Sequence, residues 1–494
     1  MQLKVKTMKW SAGLPVAMFN KKTAEEIGVH PQDMINVKTL SKNPVELAAV
    51  VDVIEGKLVK EKEVAISSEL KKRLKVRVNE KVEINMMTPP KSMDFIKKKM
   101  EGKVLTGKEI NSIIKDIVNN SLSDSEIALF VVSMDKYGMN MEETIALIKA
   151  IKKTGKSLKF REKLVADKHS IGGVPGNRTT PVVVSICAAA GLIFPKNSSR
   201  AITSAAGTSD VIEAVAKVEF SIKELKKIVK KAGACLVWGG SIGLVPADSK
   251  IIRIEKSLKI DPQAQLIASI MSKKLAAGSK YIIIDIPYGN GAKVDKSEAL
   301  NLKKKFEYLG RYFKIKVKCV LTDGSQPIGR GIGPVLELED VIKILNPGEK
   351  GPKDLEEKSV FLAGEILEMT GKAEKGKGKK LALEIIASGK AFEKFEEIIK
   401  AQSGSLEKLE GKSLTHDIVA RKSGKIKKID NSEITSLARA AGCPMDKFSG
   451  VYLHKKKGDS VKKGEKIMTI HAESKLRLRS AVKYYKENRC VIMK

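Results

Sequence analysis

At 494 residues the chain is too long for one ordinary core, so two to four domains are expected, and 42% hydrophobic residues are enough to fill them. No apolar stretch approaches the roughly 20 residues needed to cross a bilayer, and MQLKVKTMKW lacks the apolar block of a signal peptide; a cytoplasmic protein without membrane contact is expected. Five cysteines standing singly argue against a zinc ribbon or a disulfide scaffold, while a formal net charge of +34 suits anionic partners.

Residues 1–86 alternate short β-like runs (LKVKT, ELAAVVDVI, KEVAI, KVRVNEKVEINM) with turns, the spacing of a small β-barrel. One helix, TAEEIGV, is expected there with Thr23 as its N-cap. After a Met87–Pro90 linker, residues 92–160 turn helical. Ile110, Ile113, Ile114 and Ile117 share one face, and Ser123 with Glu126 forms a capping-box start. From 161 to 413 glycine-rich loops, helices and β-branched runs such as ACLVW, KYIIIDI and IKVKCVLT alternate. That pattern implies an α/β domain with a mostly parallel sheet, in which Lys372–Lys380 is a charged hinge or loop. Residues 414–494 return to a β-rich pattern and are expected to form a C-terminal α+β domain.

The stretch Asp167-Lys-His-Ser-Ile-Gly-Gly-Val-Pro-Gly-Asn-Arg-Thr-Thr180 places a lysine, a histidine, hydroxyls and three glycines just before an apolar helix. Glycines let backbone N–H groups approach a ligand, and a helix N-terminus adds roughly half a positive charge, a combination that suits phosphate. It is no Walker A loop, because no GK[ST] closes it. A second loop, Ser198–Asp210, carries six hydroxyl side chains and Arg200 among small residues ahead of another helix. Each loop alone also reads as a structural turn. Two of them in one α/β region point to an anionic ligand.

DKHSIGGVPGN, SSRAITSAAGTSDVIE and KSLKIDPQAQLIASIMSKKLAAG, the last followed by YIIIDIPYGNGAKV, resemble the signature segments of the thymidine and pyrimidine nucleoside phosphorylase family. The resemblance runs from about Ser92 to the C-terminus. Its departures, SSRAITS in place of S-G-R-G-L and an added N-terminal β-rich region, resemble the archaeal AMP phosphorylases. The resemblance implies a helical bundle domain plus a mixed α/β sheet domain of the nucleoside phosphorylase II type, with an N-terminal β-barrel-like domain and a C-terminal α+β domain added. It implies that Lys168, Ser170, Ser198 and Thr208 bind inorganic phosphate. Nucleotide binding falls to Gly173, Ser199, Arg200, Ala201, Ile202, Thr203, Ser204, Thr208, Ser269 and Lys293. Asp261 is implied as the proton donor, where the residues themselves equally allow an N-cap carboxylate. Glu255 takes the place of an arginine that faces the base in pyrimidine enzymes.

The implied reaction is phosphorolysis of AMP, and also of CMP and UMP, to free base and ribose 1,5-bisphosphate in nucleotide salvage. No cofactor or metal is expected; phosphate is a co-substrate, and a homodimer or larger homo-oligomer is implied. Ser269 and Lys273, four apart on one helix, would face the substrate together. His169 rivals Asp261 as the acid, because its ordinary pKa lies near neutrality. A thymidine or uridine phosphorylase is the nearest alternative, followed by a phosphoribosyltransferase of the anthranilate type. Nucleic acid is not an expected partner, because aromatic residues are only 4%. A biotin or lipoyl carrier is disfavoured too, since KKKGDSVKKGEKIMTI has no lysine in a carrier context.

Overall fold

A computed structural model describes every residue except Glu162, Lys163, Ile202, Thr203 and Glu410. It divides into two units, one of residues 1–154 with 246–268, the other of residues 155–245 with 269–494.

The first unit opens with six strands, β1 (Gln2–Thr7), β2 (Val16–Asn20), β3 (Met34–Thr39), β4 (Glu46–Ile54), β5 (Glu63–Ile66) and β6 (Lys81–Met86). They close in the order β1-β5-β2-β4-β3-β6, so no edge is left unpaired. Val5, Phe19, Ile35, Val37, Val64 and Ile84 fill the interior. The expected helix is present at Lys21–Ile27, but Asn20 caps it, and Thr23 lies buried inside it. Asn20 wins because its side chain ends the preceding strand within reach of the Lys22 N–H.

Helical periodicity then takes over. Gly107–Asn119 buries Ile110, Ile113, Ile114 and Ile117, and Asp124–Tyr137 starts from the Ser123–Glu126 capping box. Met141–Lys153 begins with another reciprocal cap, Asn140 with Glu143, and buried Glu143 also pairs with Lys99 at 2.9 Å. The helix Pro246–Leu258 returns to this unit. Its Lys250 ammonium meets the Ile117 carbonyl at 2.6 Å, at the C-terminus of Gly107–Asn119. Burial, with Arg73 and Arg253 nearby, pushes that ammonium down to about 8.

The second unit is built on five strands, β7 (Ala166–Ser170), β8 (Phe194–Ser198), β9 (Ala234–Trp238), β10 (Tyr281–Tyr288) and β11 (Lys316–Asp323). β11, β10 and β7 pair in that order, β8 pairs with β9, and a parallel bridge between Val165 and Ile193 joins the two pieces. Every one of these pairings is parallel, in keeping with the mostly parallel sheet that the alternation of strands and helices implies. Parallel strands release their loops at one edge, which brings the segments after Ser170, Ser198, Tyr288 and Asp323 together. The helix Thr179–Ala189 is buried nearly all round against Lys353–Met369 and Lys390–Ala401. In the charged stretch Lys372–Lys380 the chain turns, and a helix resumes at Gly378.

Among the described residues the C-terminal region adds six short strands, and Gly331–Ile332 joins them from the α/β region. Gly331–Ile332, Gly450–Leu453, Lys466–Ala472 and Leu414–Val419 form one sheet in that order, and Ser460–Val461, Gly424–Ile429 and Val491–Met493 form a second. The helices Asn431–Ala441 and Lys475–Glu487 contribute Ile434, Leu437, Ala438 and Ala481 to its core. Among the described residues no helix is long and apolar enough to cross a membrane.

Candidate active site

The first loop leaves β7 at Ser170 and must reverse before the helix beginning at Thr179. Gly173 and Gly176 allow this with φ of 87° and 68°. A Cβ on Gly173 would stand 2.8 Å from the Cβ of Lys293, and one on Gly176 would stand 2.1 Å from the Ile328 carbonyl oxygen. Gly173 and Lys293, expected to touch one substrate, are therefore in contact, and the Lys293 ammonium points to the Ile171 carbonyl at 3.4 Å.

Lys168 is almost fully buried, with its ammonium 2.7 Å from the Thr179 hydroxyl at the mouth of the helix. Burial pushes this lysine down to about 7; Asp285 opposes the shift, while Lys358, Arg178 and Lys274 add to it. Three cations thus surround a fourth. A dianion among these loops would relieve that repulsion. Lys196 on β8 donates to the Lys168 carbonyl at 2.8 Å. Asp167 accepts from Lys274 at 2.9 Å and from the Lys168 N–H at 2.8 Å, fixing the strand end beneath the loop.

Ser170 is positioned from the other side. Its hydroxyl accepts from the Asn177 amide at 3.3 Å, and the same amide reaches Asp285 at 3.3 Å. Asp285 in turn meets Lys358 at 3.0 Å and Thr322 at 2.6 Å. Burial raises the Asp285 carboxyl, but Lys358 and Lys168 outweigh it and hold the group below the ordinary carboxylate range. Several buried polar atoms here have no hydrogen-bond partner among the described residues: His169 Nδ1, the Asn177 Oδ1, both amide atoms of Asn197, and the Ser198 and Ser209 hydroxyls. Buried polar groups are rarely left unpaired, and this concentration marks a place made for a polar ligand.

The second loop is organised by Asp210, which accepts from the Ala201 N–H at 2.7 Å and the Gly207 N–H at 2.8 Å. Ser204 closes on the Ala206 carbonyl at 2.8 Å. Arg200, expected to contact the nucleotide, spends its guanidinium on Glu213 through two 2.6 Å bonds and on Glu219 at 3.0 Å, and lies 4.8 Å from the centre of the Trp238 ring. Arg200 holds the Glu213 carboxyl down at about 2, so this pair stays ionised. Arg200 therefore shapes the loop through carboxylates of its own unit. Ile202 and Thr203, expected in the same run, lie outside the described residues.

Ser269 and Lys273 meet as the i,i+4 spacing implies, with the ammonium 2.8 Å from the hydroxyl. His169 is pushed well below its ordinary value by burial and by Lys274, Lys196, Lys273 and Lys168. Without a bound anion this field disfavours the protonated imidazole, which weighs against His169 as the acid. In the other unit, Glu255 is buried on the helix Pro246–Leu258. Asp261 is exposed and stands two residues before the helix Gln263–Ala276. Sequence reasoning gave no role to Arg178, Lys196, Lys358 or Asp285. Arg178 stood inside the quoted loop, whereas Lys358 in KDLEEK reads as a solvated face.

Three family models match the chain: a glycosyl transferase family helical bundle domain over residues 93–155, the a/b domain of that family over 162–392, and a pyrimidine nucleoside phosphorylase C-terminal domain over 425–491. The chain is 44% identical to the AMP phosphorylase of Thermococcus sibiricus, over 98% of its own length and 96% of the relative's. It is 45% identical, over the same shares, to the AMP phosphorylase of Thermococcus kodakarensis. Among solved structures, the anthranilate phosphoribosyltransferase of Thermus thermophilus superposes with a TM-score of 0.53, covering 63% of this chain and 100% of that one. At 19% identity this likeness speaks to the fold alone.

Proposed function

The chain belongs to the AMP phosphorylase family, and we infer that it is a pentosyltransferase that cleaves AMP with inorganic phosphate, yielding adenine and ribose 1,5-bisphosphate. The observation that carries this reading is buried Lys168, set among Lys358, Arg178 and Lys274 beside loops whose polar atoms lack protein partners. CMP and UMP are further substrates, the setting is nucleotide salvage in the cytoplasm, and the active form is a homodimer or larger. No cofactor enters the reaction.

Phosphate is held by Lys168, Ser170, Ser198 and Thr208. Fixing its attacking oxygen near C1′ contributes up to about 7–11 kcal/mol by removing translational freedom. The cations around Lys168 offset repulsion between this phosphate and the 5′-phosphate of the nucleotide. Gly173, the Ser199–Ser204 run, Ser269 and Lys293 hold the nucleotide, and Glu255 accepts from the adenine amino group. Asp261 protonates the leaving base. A carboxyl that gives up a proton at neutral pH needs a raised pKa, and bound phosphate groups are the source of negative charge that would raise it.

The test is release of free base from AMP, CMP, UMP and the matching nucleosides, each with and without phosphate. Release from the nucleotides that requires phosphate supports the reading. Cleavage of adenosine, thymidine or uridine in preference to AMP overturns it in favour of a nucleoside phosphorylase.

A further inference from the structure

We propose that Arg178 is a positioning residue for phosphate, fixing the Thr208 hydroxyl so that its single proton is offered to a phosphate oxygen. The inference rests on the reading above that Thr208 binds phosphate. Arg178 ends the first loop, immediately before the helix Thr179–Ala189, and its guanidinium crosses to the second loop. There Nη1 donates to the Thr208 hydroxyl at 2.7 Å and Nη2 to the Ala206 carbonyl at 2.9 Å. On its other side Nε donates to Glu337 at 2.6 Å, and Glu337 also accepts from the Gly333 N–H at 3.1 Å. The fork is therefore anchored against a buried carboxylate and the Ala206 carbonyl, with only 8% of the residue exposed.

The consequence follows from hydrogen-bond chemistry. A guanidinium only donates, so a hydroxyl facing it must accept and turn its own proton elsewhere. Among the described residues no acceptor takes that proton. Thr208 is thus held as a donor before phosphate arrives, and an anion is the partner that a fixed donor selects. Thr179, next to Arg178 in sequence, is treated the same way by Lys168 at 2.7 Å. Two hydroxyls on neighbouring elements are each polarised by a fixed cation. Lysine in place of Arg178 keeps a charge against Glu337, but its single ammonium cannot span Glu337, Ala206 and Thr208 together.

The test is a double-mutant cycle on the full-length enzyme with Arg178→Lys, Thr208→Val and the double variant, reading the KM for phosphate and for AMP. Arg178→Lys is chosen over a neutral residue because it leaves Glu337 paired. Each single variant is expected to raise the phosphate KM about tenfold, the scale of one hydrogen bond to a charged group. The double variant should be no worse than Thr208→Val, and Arg178→Lys should reproduce the balance between phosphate and AMP effects seen in Thr208→Val. If the two effects multiply, or if Arg178→Lys leaves the phosphate KM unchanged while Thr208→Val raises it, the positioning role is wrong and the phosphate site stands. If Thr208→Val itself leaves the phosphate KM unchanged, the placement of phosphate at Thr208 has failed, and the proposal with it.

Discussion

At Lys168 two demands compete. Its ammonium must be charged to hold phosphate, yet burial pushes it down to about 7. A bound dianion favours the charged form, so the lysine of the complex titrates higher than that of the free protein. Above pH 7 the free protein has lost a proton that the complex keeps, and binding takes one up. Affinity for a dianion should accordingly fall as pH rises from 7 to 9, by up to about tenfold per unit, and level off below 7. Sulfate, which does not titrate in this range, is the suitable probe as an inhibitor competing with phosphate. Lys168→Met should weaken sulfate and flatten its pH profile; an unchanged profile would place the titrating group elsewhere. At Asp261, replacement by asparagine should cut turnover by about 10² or more while leaving phosphate binding intact. Near-normal turnover would remove it from proton transfer and shift the role elsewhere, with His169 the first residue to test.

At the scale of elements, the site depends on the helix Lys353–Met369 as much as on the loops. Lys358 reaches from that helix to Asp285 within β10, with 8% and 0% of the two side chains exposed. Lys358→Met would leave Asp285 with Thr322 and Asn177 alone. Breaking such a buried pair costs about 3–5 kcal/mol, which thermal or denaturant unfolding would register. A loss under 1 kcal/mol would show that Asp285 does not depend on Lys358. This connection was not legible in the sequence, since contact between residues 285 and 358 is set by how the helix packs on the sheet. The loops were legible for the opposite reason. Gly173 and Gly176 lie within nine residues of Lys168, and their chemistry is local. Arg200 shows the limit of that reasoning: Glu213 stands in the same quoted segment, yet only the fold brings it, with Glu219, onto the guanidinium.

Across the whole molecule, periodicity settled the architecture. Alternation over residues 1–86 corresponds to a closed barrel, the isoleucine face of Gly107–Asn119 to a bundle, and ACLVW, KYIIIDI and IKVKCVLT to three parallel strands. What periodicity could not reveal was exchange between distant segments. The two-residue strand Gly331–Ile332 pairs with Gly450–Leu453, and the helix Pro246–Leu258 returns to the unit that begins at the N-terminus. Pairings of that kind depend on tertiary placement, which a two-residue strand does not announce. The parallel sheet gathers both loops at one edge, and that placement, more than any single side chain, makes the region a candidate for phosphate chemistry.

The most direct examination of that claim is a crystal of the protein soaked in phosphate. Density for the anion is predicted between the two loops, within hydrogen-bond distance of the Lys168 ammonium and the Ser170, Ser198 and Thr208 hydroxyls. An ordered phosphate bound elsewhere, with these loops unoccupied in a crystal that still cleaves AMP, would contradict it.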